Sequence, residues 1–420
     1  MSWLTLNETT SPGTPAAGKG AMYYDVADER IRFIKDDGYT DVLSNDGLRS
    51  ENIVTNGGMQ IQQKVAVAST AIAGVATTTR AGVVADRWAV TTSVASNLNW
   101  QQVDTATTKE TGLESRYYGA IIQATAAKKV MLSQWIVNAD MAHTRGKTLR
   151  LSIKTDQKVG TAGQVYRLGI LYLTAAGTTD TCPTFLTGAW SAANGTDPAF
   201  AATLLPITPI STGTENCTVS GNYASITATS DAWLKSSALF TVPATAKNLM
   251  VVLFSDNTTA GTTDSFAVSD CSLTIGAETV DFVQPLFNQE LLRCQRFYCK
   301  STPYGVVVAA SLSVATAGYG AAFILGKTGI STVLGSQIPI QFPVQMHQTP
   351  TITYFTPTTT GALVFRHSGA SPLSQGTATT VTSSLTDRGV VCSATNEATT
   401  NGVIGDLVSV HYGASCEQIT

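Results

Sequence analysis

The feature that most constrains this chain is a succession of short runs in which apolar and polar residues alternate one by one. Residues 148–156, TLRLSIKTD, are the clearest case. Successive side chains of an extended backbone point to opposite faces. Leu149, Leu151 and Ile153 therefore fall on one side, and Arg150, Ser152 and Lys154 on the other. One dry face and one wet face mark an antiparallel strand on a packed sheet. The runs VADRWAVTTSV, YYGAIIQAT, KVMLSQWIV, VYRLGILYL, SSALFTV, NLMVVLF and CSLTIG repeat the theme. Turn-forming stretches such as HTRGK, VPATAKN and DNTTAGTTD separate them. No long helical periodicity interrupts the series, so the expected fold is all-β, a jelly roll or β-sandwich. The interval 174–222 is rich in Thr, Ala and Gly with few strand signals, and reads as a long loop excursion.

The 420 residues exceed one ordinary domain, and the texture divides them into three parts. Residues 1–50 read as a small β-hairpin module. SPGTPAAGKG cannot form a helix, and AMYYDV and RIRFIKD come after it as paired strands. In the second, Ile31, Phe33 and Lys35 face one way; Arg30, Arg32, Ile34 and Asp36 face the other. A hairpin apolar on both sides is marginal in water, which predicts oligomerisation through this module. Residues 51–284 carry the jelly-roll β-sandwich. Residues 285–420 read as a C-terminal β-sandwich domain entered by one short helix in FNQELLRCQRFYCK, where Leu291, Leu292, Gln295 and Phe297 or Tyr298 recur near helical spacing. Asn288 is the expected cap, and Glu290 falls in the first turn, where the helix dipole favours an acid. The subsequent strand candidates are YGVVVAASLSV, AAFILG, PIQFPVQM, TITYFTP, GALVFRH, VTSSLTD, GVVCSAT and LVSVHYGAS. Pro339, Pro343 and Pro350 confine theirs to edges or strand ends.

Charge and motifs exclude several classes of function. Charged residues make up 13% of the chain, about half the usual share, and no Lys/Arg stripe gathers phosphate, so no nucleic-acid partner is expected. No apolar stretch reaches the roughly 18–20 residues that span a bilayer, so membrane insertion is not expected. The 7 cysteines are odd in number and form no CxxC. Cys294 and Cys299 have no His or second Cys pair nearby to complete a zinc site, and buried free thiols are expected. His143, His347, His367 and His411 form no HExxH, and neither a GxSxG elbow nor a phosphate-binding glycine loop occurs. Asp86, Asp231, Asp264 and Asp270 read as turn residues or surface ion pairs rather than a glycosidase dyad. Asp86 beside Arg87 reads as a structural pair orienting the strand of Trp88. Neither Asp25, Asp28 and Glu29 nor SDNTTAGTTD supplies the spaced acids of an EF-hand. The expectation is a non-enzymatic protein with no catalytic, cofactor-binding or metal residues.

Three strings, in order, resemble segments of bacteriophage fibre and spike proteins. GKGAMYYDVADERIRFIKDDG resembles the N-terminal hairpin module of many phage fibre proteins. NGGMQIQQ, AGVVADRWAV and TLRLSIK together resemble phage particle proteins with a carbohydrate-binding-module-like jelly roll, in which an Asp-Arg-Trp tripeptide, here Asp86, Arg87 and Trp88, follows the opening strand. ELLRCQRFYCKS with FPVQMHQTPTITY is similar to a third segment of the same proteins, with Phe297 where Tyr is usual. The resemblance implies a virion structural protein: a tail fibre, head fibre or spike subunit. It further implies a homotrimer; attachment to other virion proteins through the N-terminal module is expected, and host cell-surface polysaccharide is the candidate ligand, although the resemblance implies no particular receptor. MSWLTLNETT has no basic segment followed by an apolar run, so no secretory signal is expected, which fits synthesis in the host cytoplasm and release in the virion. A polysaccharide depolymerase spike and a free carbohydrate-binding adhesion module are the alternatives. The first would favour a regular repeat period and the second a secretion signal, and neither is visible. Sugars stack on flat aromatic rings. Trp88 and Trp135 fall within strand patterns and read as core, whereas Trp100, Trp190, Tyr223 and Trp233 fall near strand ends or loops. Trp190, in loop-like GAWSAANGTD, and Tyr223 are the candidate glycan contacts.

Overall fold

The computed structural model describes residues 7–9, 16–17, 20–25, 30–35, 40–43, 51–64, 70–72, 83–93, 98–106, 110–123, 129–159, 164–174, 182–188, 190, 197–207, 209–227, 232–255, 265–277, 280–302, 304, 321–324, 337–355, 362–366, 378–395 and 407–416. The strand expected after Tyr304, the turn at 256–264, Asp28, Glu29, Asp231 and His367 lie outside them.

The protein is all-β, with strands in several sheets and two short α-helices, α1 (Asn138–Met141) and α2 (Phe287–Gln295). The N-terminal module is a four-stranded sheet rather than a bare hairpin. Asn7–Thr9 runs parallel to Gly20–Asp25, which pairs antiparallel with Arg30–Lys35 and then Thr40–Leu43.

Two seven-stranded sheets form the central jelly-roll sandwich. Across sheet I the order is Pro209–Glu215, Leu234–Thr241, Thr148–Val159, Ser265–Ile275, Tyr117–Gln123, Leu98–Asp104 and Thr70–Ile72. Sheet II runs Thr218–Ser220, Tyr223–Thr227, Val165–Leu173, Asn248–Ser255, Val130–Ile136 and Trp88–Thr92, with Leu204–Pro206 also paired to Val165–Leu173. Leu149, Leu151 and Ile153 point inward as their alternation requires, and share one core with Leu168, Ile170, Val251 and Leu253. The other face of that strand is not the open surface expected. Arg150, Ser152 and Lys154 are buried under the loops that precede Tyr117 and succeed Ile275. Arg150 donates to the carbonyl of Ala277 (2.9 Å), and Lys154 to that of Gly112 (2.5 Å).

Sheet II is covered on its outer side too. Val130–Ile136 and Asn248–Ser255 are buried along their whole length, so apolar side chains emerge on both faces. The segment read as a loop excursion supplies the cover: Phe185, Leu186, Trp190 and Leu204 close over Met131, Trp135, Met250, Val252 and Phe254. It also carries the strands Leu204–Pro206, Pro209–Glu215 and Thr218–Ser220.

Beyond α2 an eight-stranded sheet runs Tyr298–Lys300, Leu407–Ser415, Ala362–Arg366, Ala378–Leu385, Gly389–Thr395 and Gln337–Gln341, with Ala321–Ile324 and Thr351–Phe355 paired to Leu407–Ser415. The cap of α2 differs from expectation. Leu286 holds the cap position without a side-chain bond, and Asn288 lies inside the first turn. Cys182, Cys217, Cys271, Cys294, Cys299 and Cys416 are free thiols, the last four buried; burial pushes the Cys299 thiol up to about 12.

Candidate functional site: a buried joint and the cavity beside it

The strings NGGMQIQQ, Asp86-Arg87-Trp88 and ELLRCQRFYCKS lie far apart in sequence and meet in one place. Every residue from 53 to 63 is buried, although Asn56, Gln60, Gln62 and Gln63 are polar. Its turn is built by residue type. Asn56 (φ 57°) and Met59 (φ 53°) both hold left-handed backbone, which Asn tolerates better than most residues. Gly57 lies against the strand Ser265–Ile275, and a Cβ there would stand 1.9 Å from the carbonyl oxygen of Cys271. The neighbouring Asp270 is itself left-handed (φ 49°), beside an irregularity in that strand's pairing with Thr148–Val159. The turn docks on this bulge, where the amide of Cys271 donates to the carbonyl of Gly57 (3.0 Å).

Asn56 is the hub. Its Nδ2 donates to the carbonyls of Ile61 (2.8 Å) and Asp86 (3.0 Å), and its Oδ1 accepts from the amide of Ile61 (2.9 Å). Its own carbonyl accepts from the Trp88 indole (3.1 Å), and its amide donates to the carboxylate of Glu290 on α2. Asp86 accepts from the amide of Gln63 (2.7 Å) and from its Nε2 (2.5 Å), so its carboxylate orients the linker. Arg87 (φ 74°) turns the other way. Its guanidinium lies 3.4 Å from the Phe297 ring centre and donates to the carbonyl of Trp135.

The second sheet body grips the same segment. Lys300 donates to the carbonyls of Gln63 (3.1 Å) and Tyr304 (2.9 Å). Burial pulls its ammonium down to about 8, against the opposing pull of the Asp86 charge. The Tyr304 hydroxyl donates to the carbonyl of Gln60 (2.7 Å) and accepts from the amide of Gln62 (2.8 Å), and burial raises its pKa. Arg293 of α2 donates to the carbonyl of Asn52 (2.8 Å) and to Glu290 (3.2 Å). Lys64 reaches the hydroxyl of Ser415 (3.1 Å). The motif side chains thus hold the jelly roll against α2 and the C-terminal sheet.

Beside this joint, between α1 and α2, lies a cavity of about 310 Å³. Thr55, Ala139, Asp140, His143, Arg293 and Arg296 are among its lining residues. Arg296 places both terminal nitrogens 3.2 Å from one oxygen of Asp140.

The aromatic candidates lie elsewhere and are enclosed. Trp190 is 3% exposed and Tyr223 4%, each edge-on to Phe254, with centroids 5.8 and 5.1 Å away. The Tyr223 ring rests on Gly169, where a Cβ would come within 2.4 Å of it. Trp190 also lies 5.6 Å from the ammonium of the fully buried Lys129. The Trp190 ring therefore belongs to the cover of sheet II and the Tyr223 ring to the face beneath it, and neither turns a face to solvent. Trp100 is core and donates to Gln62 (3.1 Å); Trp88 and Trp135 are core as expected. Trp233 is half-buried, edge-on to Tyr118, and donates to Glu110 (2.6 Å). Lys158 sits 5.1 Å from the Trp233 ring and 5.5 Å from that of Tyr118, and pairs with Asp156 (2.6 Å) and Glu110. Burial alone would raise Glu110, but the bonds from Lys158 and Trp233 outweigh it and hold the carboxyl low. Burial pushes the Tyr118 phenol up to about 12. Asp270 accepts the amides of Glu114 (2.8 Å) and Ser115 (3.0 Å) and pairs with Lys154 (3.2 Å). Asp270, like Asp86, holds backbone in place.

No protein-family model and no curated protein matches the chain. Solved structures do. One is a Clostridium thermocellum endo-1,4-β-D-xylanase fragment of carbohydrate-binding and catalytic modules, complexed with xylohexaose: 13% identity, 53% of this chain, TM-score 0.27. The chain spans only 30% of that protein's length. Another is the carbohydrate-binding module TmCBM61 in complex with β-1,4-galactotriose: 10% identity, 54% of this chain, 100% of that chain, TM-score 0.29. A third is the enzymatically active domain of tailspike protein 4 from bacteriophage CBA120: 10% identity, 54% of this chain, 21% of that chain, TM-score 0.27.

Proposed function

We propose that this chain is a non-enzymatic subunit of a bacteriophage appendage, a fibre or spike, that holds its β bodies in fixed orientation and contacts host-surface glycan. The observation carrying this reading is the joint. The Asp86-Arg87-Trp88 tripeptide, the Asn-Gly-Gly turn and the Glu290–Lys300 segment support the phage resemblance, and their side chains are engaged in locking the jelly roll to α2 and the C-terminal sheet. Hydrogen bonds are directional, so a joint built from them fixes an angle, as a projecting spacer requires.

The N-terminal sheet supports assembly with other copies. Its strands pair Met22 with Phe33, Tyr24 with Ile31 and Ile31 with Leu43. Met22, on the strand Gly20–Asp25, is 41% exposed. We read this as the surface through which three copies associate. Light scattering of the full-length protein should give a trimer at micromolar concentration; a monomer would remove this part. Mass spectrometry of purified particles tests the rest: absence of the chain overturns the virion assignment. Reducing ends released from host polysaccharide by the purified protein would overturn the non-enzymatic assignment.

A further inference from the structure

The cavity beside the joint is lined by donors and acceptors that the joint leaves unengaged. Arg293 uses its two terminal nitrogens on Glu290 and Asn52, and Arg296 uses its two on Asp140. The Nε of each, the second oxygen of Asp140 and the His143 imidazole have no partner among the described residues. Ala139 leaves one wall open, with no side chain beyond Cβ.

Charge selects the ligand. Each guanidinium already faces a carboxylate, Arg293 against Glu290 and Arg296 against Asp140, and Glu51 adds a further acid to the lining. A phosphate, sulfate or carboxylate would meet no net positive potential, and a cation would meet two arginines. A hydroxyl both donates and accepts, so vicinal hydroxyls suit a lining that offers both N–H groups and a carboxylate oxygen. The volume lies at the small end of the roughly 300–1,000 Å³ range of small-molecule sites, enough for one or two sugar rings. Glu51, Ala139 and His143 are exposed, so the cavity opens to solvent, while the bonds of Arg293 to Glu290 and Asn52 fix one wall and supply preorganisation.

We propose that this cavity is a binding site for a neutral hexose unit, gripped through its hydroxyls by Asp140, Arg293 and Arg296 without an aromatic platform. This rests on the glycan-contacting part of the proposed function and is independent of the virion part.

Saturation-transfer NMR on the full-length protein tests it, with D-glucose, D-galactose, D-mannose, L-rhamnose and N-acetylglucosamine as neutral probes and D-glucuronate as the charged one. Titration with inorganic sulfate, followed by amide shifts, provides the anion arm. At least one neutral sugar should saturate, and D-glucuronate and sulfate should bind more weakly. Ala139→Trp fills the cavity without removing any joint hydrogen bond and should weaken neutral-sugar binding at least tenfold at an unchanged Tm. If Ala139→Trp does not fold, Asp140→Asn and His143→Ala serve instead, and each should weaken binding severalfold. Silence from all five neutral sugars, equal binding by the folded variants, or tighter binding of sulfate overturns the proposal. The particle assay then still decides the virion reading by itself.

Discussion

Asn56→Ala is the sharpest perturbation of the joint. The side chain makes three hydrogen bonds, two to Ile61 and one to Asp86, and is fully buried. Alanine leaves the amide of Ile61 and the carbonyls of Ile61 and Asp86 without those partners. A buried polar group stripped of its partner costs about 1–3 kcal/mol. The backbone adds to this, because φ at residue 56 is 57° and a Cβ without a local hydrogen bond makes that region unfavourable by about 1–2 kcal/mol. Some relaxation is expected, since a carbonyl keeps a second lone pair, so the loss should be about 3–6 kcal/mol. For a unit of this size each kcal/mol moves Tm by roughly 2–4 °C, which places the shift on the order of 6–24 °C. Calorimetry and tryptophan fluorescence should report it together, because the Trp88 indole donates to the Asn56 carbonyl. Asn56→Gly relieves the φ penalty and loses the same bonds, so it should be about 1 kcal/mol less damaging than alanine. A loss below about 1 kcal/mol for alanine, or a glycine variant worse than alanine, would refute the reasoning.

Other substitutions test neighbouring claims. Trp190→Ala should destabilise the sandwich by about 3–5 kcal/mol, measured by urea midpoint, because the ring belongs to the cover of sheet II. Unchanged stability would restore a surface role for the ring. Gly57→Ala should lower Tm by more than 5 °C, about 2 kcal/mol or more, since its Cβ would meet the Cys271 carbonyl; a normal melting curve would contradict the docking of the turn. The pH dependence has a definite sign. Lys300 titrates near 8 in the fold against 10.5 when unperturbed, so over that window the unfolded chain binds more protons and stability rises with pH. From about pH 9 the buried thiols and then the phenols reverse the trend, because Cys299 and Tyr118 each hold their proton to about 12 in the fold. Urea midpoints from pH 7 to 8.5, on the order of one unit around the Lys300 value and below the thiol range, should climb for the native protein and stay flatter for Lys300→Met. A fall across that range in the native protein alone would sink the assignment.

Alternation made the sandwich legible because it is a local signal. Leu149, Leu151 and Ile153 needed no knowledge of their partners to be assigned to a core, nor did Trp88 and Trp135. The burial of Trp190 and Tyr223 is not legible for the opposite reason: their immediate neighbours are small and polar, and what buries them comes from other strands. A signal for the cover was nonetheless present. VMLSQWI and NLMVVLFS carry large apolar residues at successive positions, and a strand apolar on both faces requires something on both sides. The roof over Arg150, Ser152 and Lys154 left no such mark, since polar side chains suit open solvent and a lining of backbone carbonyls equally well.

The joint shows where local reading ends. Residues 56–63 present Asn, two Gly and three Gln among eight, a composition that in isolation describes a solvated turn. Their burial makes sense only once the acceptors and donors supplied by Asp86, Glu290, Lys300 and Tyr304 are counted. An apolar linker could have joined the two bodies with similar area but little angular preference, because hydrophobic contact is non-directional. Amide side chains must each find a partner at a set distance and angle or leave a buried orphan, so they admit one arrangement. Asn56 ties the turn to the opening strand of sheet II and to α2, while Gln63 ties it to Asp86 and, through its carbonyl, to Lys300. A rotation of the C-terminal sheet would break several of these bonds together. Orientation in this chain is set by a polar segment between its bodies, and the cavity between α1 and α2 takes its shape from the same constraint.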